Sequence, residues 1–458
     1  MALPDKGFLR ERLASALKGG ETPALYAHDR AVSLSDIVTG LSLDAEPSAL
    51  ASRSILIRTR EQLAAALALV DLDGAASRMV ICPPDFDPAH LNHVIAEAGV
   101  DLVVSDDDTM AVEGLDFARI GTPRAAPRAA SRTTEWVMFT SGTTGMPKMV
   151  AHSLAGLTGA IRPSADDAPI VWGTFYDIRR YGGLQILLRA LTGGASMILS
   201  RAGEAPADAL SRLAQYGVTH LSGTPSHWRR ALICPALAAI SPRYVRLSGE
   251  IADQAVLDAL KAAFPAASVG HAYASTEAGV GFEVVDGREG FPESYVGPPV
   301  GDVEMRVIDG ALHLRSHRIA TRYLGAAAVA NADGFVDTGD MVEQRGDRFH
   351  FVGRRGGVIN VGGLKVYPEE VESVINRHPA VHMSLVKTRK NPISGALVVA
   401  DVVLKMEIVS ANPDQHALRH DILLLCREAL QPHKVPAAIS FVPTLAVTES
   451  GKLIRRNA

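Results

Sequence analysis

A short run of hydroxyl-bearing and glycine residues has the composition of a phosphate-binding loop. In VMFTSGTTGMPKMVAHS (137–153), an apolar strand end leads directly into this loop. Its candidate ligands are Thr140, Ser141, Gly142, Thr143, Thr144, Gly145 and Lys148. Glycines let backbone N–H groups converge on an anion, hydroxyls donate to phosphate oxygens, and the lysine adds positive charge. The GxxxxGK[ST] spacing of a Walker A loop is absent. The segment therefore predicts a different kind of phosphate cradle, and the alternative is a flexible surface loop.

Four later segments place charged or aromatic side chains beside glycines and hydroxyls. In chain order they are HAYASTEAG (271–279), DGFVDTGDM (333–341), FVGRRGGVINVGGLKVYPEEVE (351–372) and VTESGKLIRR (447–456). Together with TSGTTGMPK, and in the same order, they resemble the signature segments of the adenylate-forming superfamily. That superfamily includes acyl-CoA synthetases, non-ribosomal peptide adenylation domains and luciferases. The resemblance runs from about residue 135 to the end, and the first 130 residues fit it loosely.

The resemblance implies a reaction in two steps. A carboxylate attacks the α-phosphate of ATP and gives an acyl-adenylate and pyrophosphate, and a thiol then displaces AMP. ATP and Mg²⁺ are the implied cofactors, with CoA or phosphopantetheine as the co-substrate. A small-molecule carboxylic acid is the implied partner, and an acyl carrier protein stays open as an alternative acceptor.

The resemblance also implies roles for individual residues. The catalytic positions are Lys452, which bridges the carboxylate and the α-phosphate, Glu277, which binds magnesium, and Thr276, which contacts the α-phosphate. Besides the loop at 140–148, the nucleotide positions are Gly249 and Glu250 in SGEIAD, Tyr273 at adenine, Asp340 at ribose, and Arg354 at ribose or phosphate. Five of these have a structural alternative: a strand-end turn for Tyr273 and Glu277, an Asx turn for Asp340, a surface arginine for Arg354 and a solvated tail charge for Lys452.

A glycine pair marks the expected hinge between two domains. The superfamily rotates its small domain about this point, where it usually has Asp or Lys, and this chain has Gly356 followed by Gly357. Two glycines still permit the backbone rotation that a hinge must absorb. Asn360 and Met149 also depart from the usual residues, and neither change removes a phosphate or carboxylate ligand.

The substrate pocket is expected along VWGTFYDIRRYGGLQ (171–185), LSGE (247–250) and HAYAST (271–276). The candidate lining residues are Phe175, Tyr176, Asp177, Arg180, Gly183 and Ala272. Asp177 could hold a substrate amine. Arg180 falls nearer to the pocket-facing position, where a buried guanidinium requires an anionic or strongly polar substrate group. The alternative is that Arg180 is a solvated residue at a helix start.

The elements that position these residues follow an alternating pattern. Helical segments of about ten residues alternate with short β-branched runs, as in DALSRLAQYG then VTHLSG (208–223) and AVLDALKAAFP then ASVGHAYA (255–274). REQLAAALALV (60–70) is expected to form an amphipathic helix, and the Pro-, Ala- and Arg-rich segment 118–134 a loop. This alternation predicts parallel sheet with crossover helices.

From these patterns we expect an α/β fold with two domains. A large N-terminal domain at 1–354 combines parallel-rich sheets and packed helices with a β-rich subdomain from about residue 295. A small, mobile α+β C-terminal domain occupies 355–458. It contains a strand at 397–404 and a long amphipathic helix at 414–430.

Composition excludes several classes of protein. The 458 residues carry a net charge of −4, which does not suggest a nucleic-acid partner. Three widely spaced cysteines exclude a disulfide framework and fit a reducing cytosol. The first twenty residues have no apolar h-region, so we expect no secretory signal, and no apolar run is long enough to span a membrane. We therefore expect a cytoplasmic protein without a membrane partner, as a monomer or homodimer.

The predicted function is an AMP-forming acid–thiol ligase of the acyl- or aryl-CoA synthetase type. One alternative is a stand-alone enzyme that loads an aryl, acyl or amino acid onto a carrier-protein pantetheine. A second is a non-catalytic nucleotide-binding homologue, but such a protein would be expected to have lost Lys452, Glu277 or Lys148, and all three are present.

Overall fold

Short strands and helices alternate along the first 290 residues, and antiparallel strands follow. The computed structural model describes residues 7–17, 22–126, 132–140, 146–162, 168–201, 203–325, 328–391, 395–448 and 452–454. In this part of the chain the α-helices are α1 (Leu9–Ala16), α2 (Leu34–Thr39), α3 (Pro47–Leu50), α4 (Gln62–Leu72), α5 (Leu91–Ala98), α6 (Leu154–Thr158), α7 (Tyr181–Thr192), α8 (Pro206–Gln215), α9 (Pro225–Leu232), α10 (Gln254–Ala263), α11 (Pro368–Ile375), α12 (Met406–Ser410) and α13 (Gln415–Ala429).

The strands are β1 (Ala24–Tyr26), β2 (Ala31–Ser33), β3 (Gly40–Leu43), β4 (Ser54–Ile57), β5 (Arg78–Ile81), β6 (Leu102–Ser105), β7 (Asp116–Ala125), β8 (Glu135–Phe139), β9 (Met149–His152), β10 (Val171–Thr174), β11 (Ser196–Ile198), β12 (His220–Gly223), β13 (Tyr244–Ser248), β14 (Ser268–Ser275), β15 (Gly279–Val284), β16 (Phe291–Pro292), β17 (Glu304–Ile308), β18 (Ala311–Arg315), β19 (Arg322–Tyr323), β20 (Val336–Arg345), β21 (Arg348–Arg354), β22 (Ile359–Val361), β23 (Leu364–Val366), β24 (Val381–Asn391), β25 (Gly395–Leu404) and β26 (Ala438–Phe441).

Two eight-stranded sheets form most of the large domain. The first sheet has the order β15-β14-β13-β12-β10-β11-β1-β2, and the second has the order β19-β9-β8-β5-β4-β6-β7-β3. The central strands of both are parallel, with antiparallel strands at the edges. The predicted α/β fold with parallel-rich sheets is confirmed.

A common hydrophobic core joins the two sheets. All eleven residues of α4 are buried, and they share one core cluster with strand residues of both sheets, such as Ile55 and Met197. The predicted amphipathic helix is therefore wrong in one respect, because neither face of α4 meets solvent. Alanine and leucine suit this position, since a helix packed on all sides has no need of a polar stripe.

The first half of the segment predicted as a loop at 118–134 belongs to a strand. Residues Asp116–Ala125 form β7, which pairs with β6 in parallel and with β3 in antiparallel orientation. Its burial alternates between exposed and covered residues, as expected for an edge region with one face on the core. The Pro, Ala and Arg content concealed this pairing, which depends on long-range partners.

A five-stranded antiparallel sheet follows, and then the small domain. The five-stranded sheet has the order β16-β21-β20-β18-β17. After the hairpin β22–β23, the strands β24, β25 and β26 form a three-stranded sheet with α11 and α13 packed on it. One core cluster consists entirely of residues between Ile359 and Ile439, so this part has its own hydrophobic core.

Candidate active site

A cavity of about 1860 Å³ lies where the large and small domains meet. The carboxyl ends of the neighbouring parallel strands β13 and β14 open into it, at Ser248–Gly249 and at Ala272–Thr276. Strands β20 and β21 contribute Asp340 and Arg354. In open parallel sheets, ligands bind at the carboxyl ends of strands because loops and strand-end polar groups converge there.

Asp340 is held by two donors on one wall of the cavity. The Tyr273 hydroxyl donates to Oδ2 of Asp340 over 2.6 Å, and Nε of Arg354 donates to Oδ1 over 2.9 Å. Burial and the nearby carboxylate raise the pKa of Tyr273, so its hydroxyl stays a donor. The Tyr273 ring stacks on Phe351 at a centroid distance of 5.3 Å. The carboxylate is thus fixed in orientation, and the three residues predicted to bind nucleoside lie together.

Glu277 faces the same cavity and contacts a tyrosine that the sequence motifs did not reveal. The Tyr323 hydroxyl hydrogen-bonds to Glu277, and burial together with this carboxylate raises the pKa of Tyr323. Tyr323 lies on β19, which pairs with β9. In this pairing Tyr323 lies opposite Val150. This register also brings Nζ of Lys148 to 5.6 Å from the centroid of the Tyr323 ring.

The C-terminal lysine reaches the carboxyl end of β13. Lys452 is paired with Thr448, whose N–H donates to the Lys452 carbonyl over 2.7 Å. The Leu453 N–H donates to Glu250 over 3.3 Å, which docks this segment on the large domain. Glu250 also accepts from the backbone N–H and the hydroxyl of Ser226 at the start of α9.

Gly249 lies next to the lysine side chain. Its φ is +86°, a region that favours glycine, and a Cβ at this position would lie 3.6 Å from Cε of Lys452. Burial lowers the pKa of Lys452, and the negative charge of Glu250 opposes that shift. Lys452 therefore lies among Glu250, Asp340 and Arg354, close to where a phosphate and a carboxylate could meet.

Of the residues predicted to form the phosphate loop, the structure describes those at the two ends of the loop. Thr140 and Lys148 both line the cavity, and the Thr140 N–H donates to the Lys148 carbonyl over 3.0 Å. The other predicted ligands, Ser141, Gly142, Thr143, Thr144 and Gly145, lie outside the described residues. Thr276 lines the same cavity.

Half of the predicted substrate-pocket residues line the cavity, namely Tyr176, Arg180 and Ala272. The Tyr176 hydroxyl donates to the Ser248 carbonyl over 2.6 Å, which fixes its ring at the wall. Arg180 forms an ion pair with Asp85, so its charge already has a partner.

The other three predicted pocket residues are not among the described residues that line the cavity. Phe175 packs in the core on His227 and Trp228. Both oxygens of Asp177 accept from the Arg179 guanidinium at 2.9 and 2.6 Å, so the charge of this buried carboxylate is already paired within the protein. A Cβ on Gly183 would lie 2.1 Å from the Asp177 carbonyl oxygen, so Gly183 permits close backbone packing.

Gly356, the predicted hinge, lies in a single 3₁₀ turn formed by Arg355–Gly357. A Cβ added at Gly356 would meet no described atom within 4 Å. Beside it, Arg355 pairs with Asp337 of the large domain over 2.8 Å. The turn is therefore open around Gly356 and anchored on one side, and its role as a hinge stays a prediction.

Two family models match this chain. One, described as AMP-binding enzyme, matches residues 55–317, and the other, described as AMP-binding enzyme C-terminal domain, matches residues 370–452. The first match alone covers more than half of the 458 residues. The chain belongs to the AMP-binding enzyme family. The resemblance to the adenylate-forming superfamily is thereby confirmed.

Curated relatives of this AMP-binding enzyme are acyl-CoA synthetases and CoA ligases. It is 28% identical over 370 residues to the acyl-coenzyme A synthetase ACSM5, mitochondrial, of Rattus norvegicus, which covers 74% of this chain and 63% of that protein. It is 29% identical over 341 residues to the 2-succinylbenzoate–CoA ligase of Geobacillus kaustophilus, covering 70% of this chain and 68% of that protein. The chain thus matches less than two thirds of the length of the rat relative.

Solved structures share the fold of this AMP-binding enzyme along nearly its whole length. The anthranilate CoA ligase AuaEII in complex with anthranoyl-AMP matches with a TM-score of 0.81 at 19% identity, covering 98% of this chain and 96% of that one. A benzoate CoA ligase from Burkholderia xenovorans LB400 matches with a TM-score of 0.76 at 19% identity, with 98% and 99% coverage. At these identities the likeness shows the fold.

Within the described ranges, none of the helices combines the length and apolar character needed to cross a membrane. The same ranges contain no group of three or more His, Cys, Asp or Glu placed to hold a metal. All three cysteines are free thiols, as the spacing predicted.

Proposed function

We propose that this AMP-binding enzyme activates a small carboxylic acid with ATP through an acyl-adenylate and transfers the acyl group to CoA. The observation that supports this best is that Lys452 of the small domain lies against Gly249, in the cavity that Asp340 and Glu277 also line. One cavity thereby offers a carboxylate for a nucleoside, a carboxylate for a metal and a cation for the reacting centre. The names of the curated relatives, which are CoA ligases, support the same proposal.

In the proposed first step, Asp340 accepts hydrogen bonds from the ribose hydroxyls. Each carboxylate oxygen has two lone pairs, so donation from Tyr273 and Arg354 leaves capacity for two more donors. Thr140 and Lys148 hold the phosphates at the ends of the loop. Lys452 lies between the α-phosphate and the acid, where its cation stabilises the charge that develops in the transition state.

The residues present fit a magnesium ion carried by the nucleotide. Mg²⁺ is usually bound through one or two carboxylates together with substrate phosphates and water, and Glu277 offers one such carboxylate at the cavity wall. When bound, the ion supplies charge neutralisation at the phosphates. The Tyr323 hydroxyl hydrogen-bonds to Glu277 and would hold its carboxylate in one orientation.

In the proposed second step, the thiol must approach from a different direction than the lysine. We therefore retain the predicted rotation of the small domain about Gly356, with CoA as the acceptor. A carrier-protein pantetheine is the alternative acceptor. A cytoplasmic location and a monomeric or homodimeric state stay predictions from the sequence. The word mitochondrial stands in the names of the mammalian relatives and describes those proteins.

The test is pyrophosphate release from ATP across a panel of carboxylic acids, repeated with CoA and with a holo carrier protein. Lys452→Ala should lower adenylation about 100-fold or more, because it removes a cation aimed at the transition state. It should spare thioester formation from supplied acyl-AMP. Lys390→Ala, at an exposed lysine of β24 in the same domain, is the matched control.

Two results would contradict the proposal. Pyrophosphate release at a near wild-type rate in Lys452→Ala would show that Lys452 has no role in adenylation. No acid-dependent release with any acid would favour the non-catalytic homologue.

A further inference from the structure

Arg246 is a buried arginine on the strand that carries Gly249 to the active site. It lies in the middle of β13, and only 3% of its surface is exposed. Side chains two residues apart on a strand point to the same face, so Arg246 shares its face with Ser248, which lines the cavity. Arg246 therefore lies one step deeper than Ser248 on the cavity side of the sheet.

The pairing of β13 with its neighbouring strands shows which residues lie beside Ser248 and which lie beside Arg246. Ser248 pairs with Ala272, and Ala272 pairs with Glu283, which gives one row at the level of the cavity wall. The next row pairs Arg246 with Gly270 on one side and with Ser222 on the other. Gly270 has no side chain and Ala272 a small one, and the place of a Cβ at Gly270 is approached by Val285 and Glu283.

The guanidinium of Arg246 is not fully satisfied by the protein. Its Nε lies 3.4 Å from Oε1 of Glu283. Neither Nε nor Nη2 makes a hydrogen bond to any described residue, although both atoms are buried. The Tyr244 hydroxyl also donates to Glu283, so this carboxylate is shared.

A second arginine leaves the cluster with excess positive charge. Arg189 of α7 interacts with both Arg246 and Glu283, and its own Nε is buried without a hydrogen-bond partner among the described residues. Burial and the neighbouring Arg246 lower the pKa of Arg189 to about 10, which leaves it protonated near neutral pH. Two guanidinium groups thus face one carboxylate. An unpaired buried charge is strongly unfavourable, so a further anion is expected here.

Two tyrosines of the cavity wall lie near Arg246. Tyr176 and Tyr181 both line the cavity, and both interact electrostatically with Arg246. A ligand that extends past Ser248 and Ala272 along this wall therefore approaches the guanidinium.

We propose that Arg246 binds a second carboxylate at the far end of the activated acid, so that the substrate is a compact dicarboxylic acid. This rests on the proposed function, since the first carboxylate must meet Lys452 beside Gly249. Arg246 precedes Gly249 by three strand residues, which corresponds to about 10 Å along the strand. The planar fork of arginine matches a carboxylate with two parallel hydrogen bonds.

The sequence motifs pointed to Arg180 for this role, and the geometry favours Arg246. Arg180 forms an ion pair with Asp85, whereas two nitrogens of Arg246 lack a hydrogen bond within the described structure. Arg180 is therefore a wall residue with a partner of its own. Its substitution serves as the matched comparison.

The experiment compares kcat/KM for matched pairs of acids in the pyrophosphate-release assay. Terephthalate is paired with 4-methylbenzoate, isophthalate with 3-methylbenzoate, and adipate with hexanoate. Wild type should prefer the diacid of at least one pair. Arg246→Met should lower the diacid-to-monoacid ratio at least 100-fold, because a site built to pair a polar group strongly rejects analogues that lack it. Arg246→Lys should retain part of the preference, and Arg180→Met should change the ratio much less.

Each outcome decides one question. A lower melting temperature with an unchanged ratio in Arg246→Met would make Arg246 a structural partner of Glu283 and overturn the proposal. If that variant fails to fold, Arg246→Met combined with Glu283→Gln removes both charges, and an unchanged ratio there has the same meaning. A wild type that prefers the methyl analogue in every pair also overturns it. Activity with monoacids would still support the ligase, whereas no activity with any acid would refute the proposed function itself.

Discussion

Glu277 lies at the point where the nucleotide phosphates and their metal are proposed to bind, with the Tyr323 hydroxyl as its partner. Glu277→Gln keeps the shape and removes the charge. We expect turnover to fall about 100-fold or more, because the variant loses a metal ligand that supplies several kcal/mol of transition-state stabilisation. The measurement is a Mg²⁺ titration of pyrophosphate release at saturating ATP.

Tyr323→Phe is the matched control for this prediction. It removes the hydroxyl that orients Glu277 and keeps the carboxylate, so we expect a higher Mg²⁺ requirement with a much smaller loss of kcat. An unchanged Mg²⁺ titration and kcat in Glu277→Gln would show that this carboxylate does not hold the metal.

At the residue scale, the sequence predicted side chains that stand in contiguous motifs. Asp340, Tyr273 and Lys452 line the cavity where the resemblance implied a nucleotide site. Tyr323 and Arg246 were missed because their positions depend on strand pairing: β19 must pair with β9, and β13 must lie between β12 and β14. No local spacing carries that information.

At the scale of elements, a buried polar clasp joins the two domains. Asp253 at the start of α10 accepts from the Arg229 guanidinium at 2.6 Å and from Nδ2 of Asn376 at 3.0 Å. Asn376 follows α11 of the small domain, and the Ser384 hydroxyl donates to its Oδ1 over 2.9 Å. The clasp is formed in the pose in which Lys452 lines the cavity.

Asn376→Leu should therefore disfavour this pose while Asp253 keeps Arg229 as a partner. A hydrogen bond to a charged group contributes about 1.5–3 kcal/mol, so the balance between domain poses should shift about tenfold or more. We expect slower pyrophosphate release and unchanged thioester formation from supplied acyl-AMP.

Ser384→Ala is the matched control for the clasp. It removes the hydrogen bond within the small domain and leaves the bond between the domains. Equal loss of both half-reactions in Asn376→Leu would mean that the residue stabilises the fold and does not select a pose. A melting curve of each variant separates these two cases.

Elements with local signals were predicted well, and those with distant partners were not. The helix–strand pairs α8–β12 and α10–β14 lie where apolar periodicity placed them. Strand β7 was expected to be a loop, because its polar, proline-containing sequence becomes a strand only through its pairing with β6 and β3. The burial of α4 on every side likewise depends on both sheets.

For the whole molecule, buried histidines link stability to pH. Burial lowers the pKa of His152 to about 4 and that of His227 to about 3, and burial with the nearby Arg229 lowers that of His382 to about 4. In the unfolded chain a histidine titrates near pH 6.5. Between these values the unfolded state binds more protons than the folded state, so the free energy of unfolding falls as pH falls below about 6.5.

His152→Leu isolates one of these contributions. His152 is 1% exposed, and its ring lies 5.7 Å from that of Tyr181, so leucine of similar volume can fill the site. Each histidine contributes about 1.4 kcal/mol per pH unit within its window, so wild type should lose about 2 kcal/mol through His152 alone between pH 6.5 and 5. His152→Leu should not show this part of the loss in the free energy of unfolding. Urea denaturation at pH 7.5, 6.5 and 5 measures it, with pH 7.5 as the reference because it lies above the pKa of His152 in both the folded and the unfolded state. If wild type and variant lost equal stability between pH 6.5 and 5, His152 would have to take up its proton in the folded state, and its burial would not be the cause of acid sensitivity.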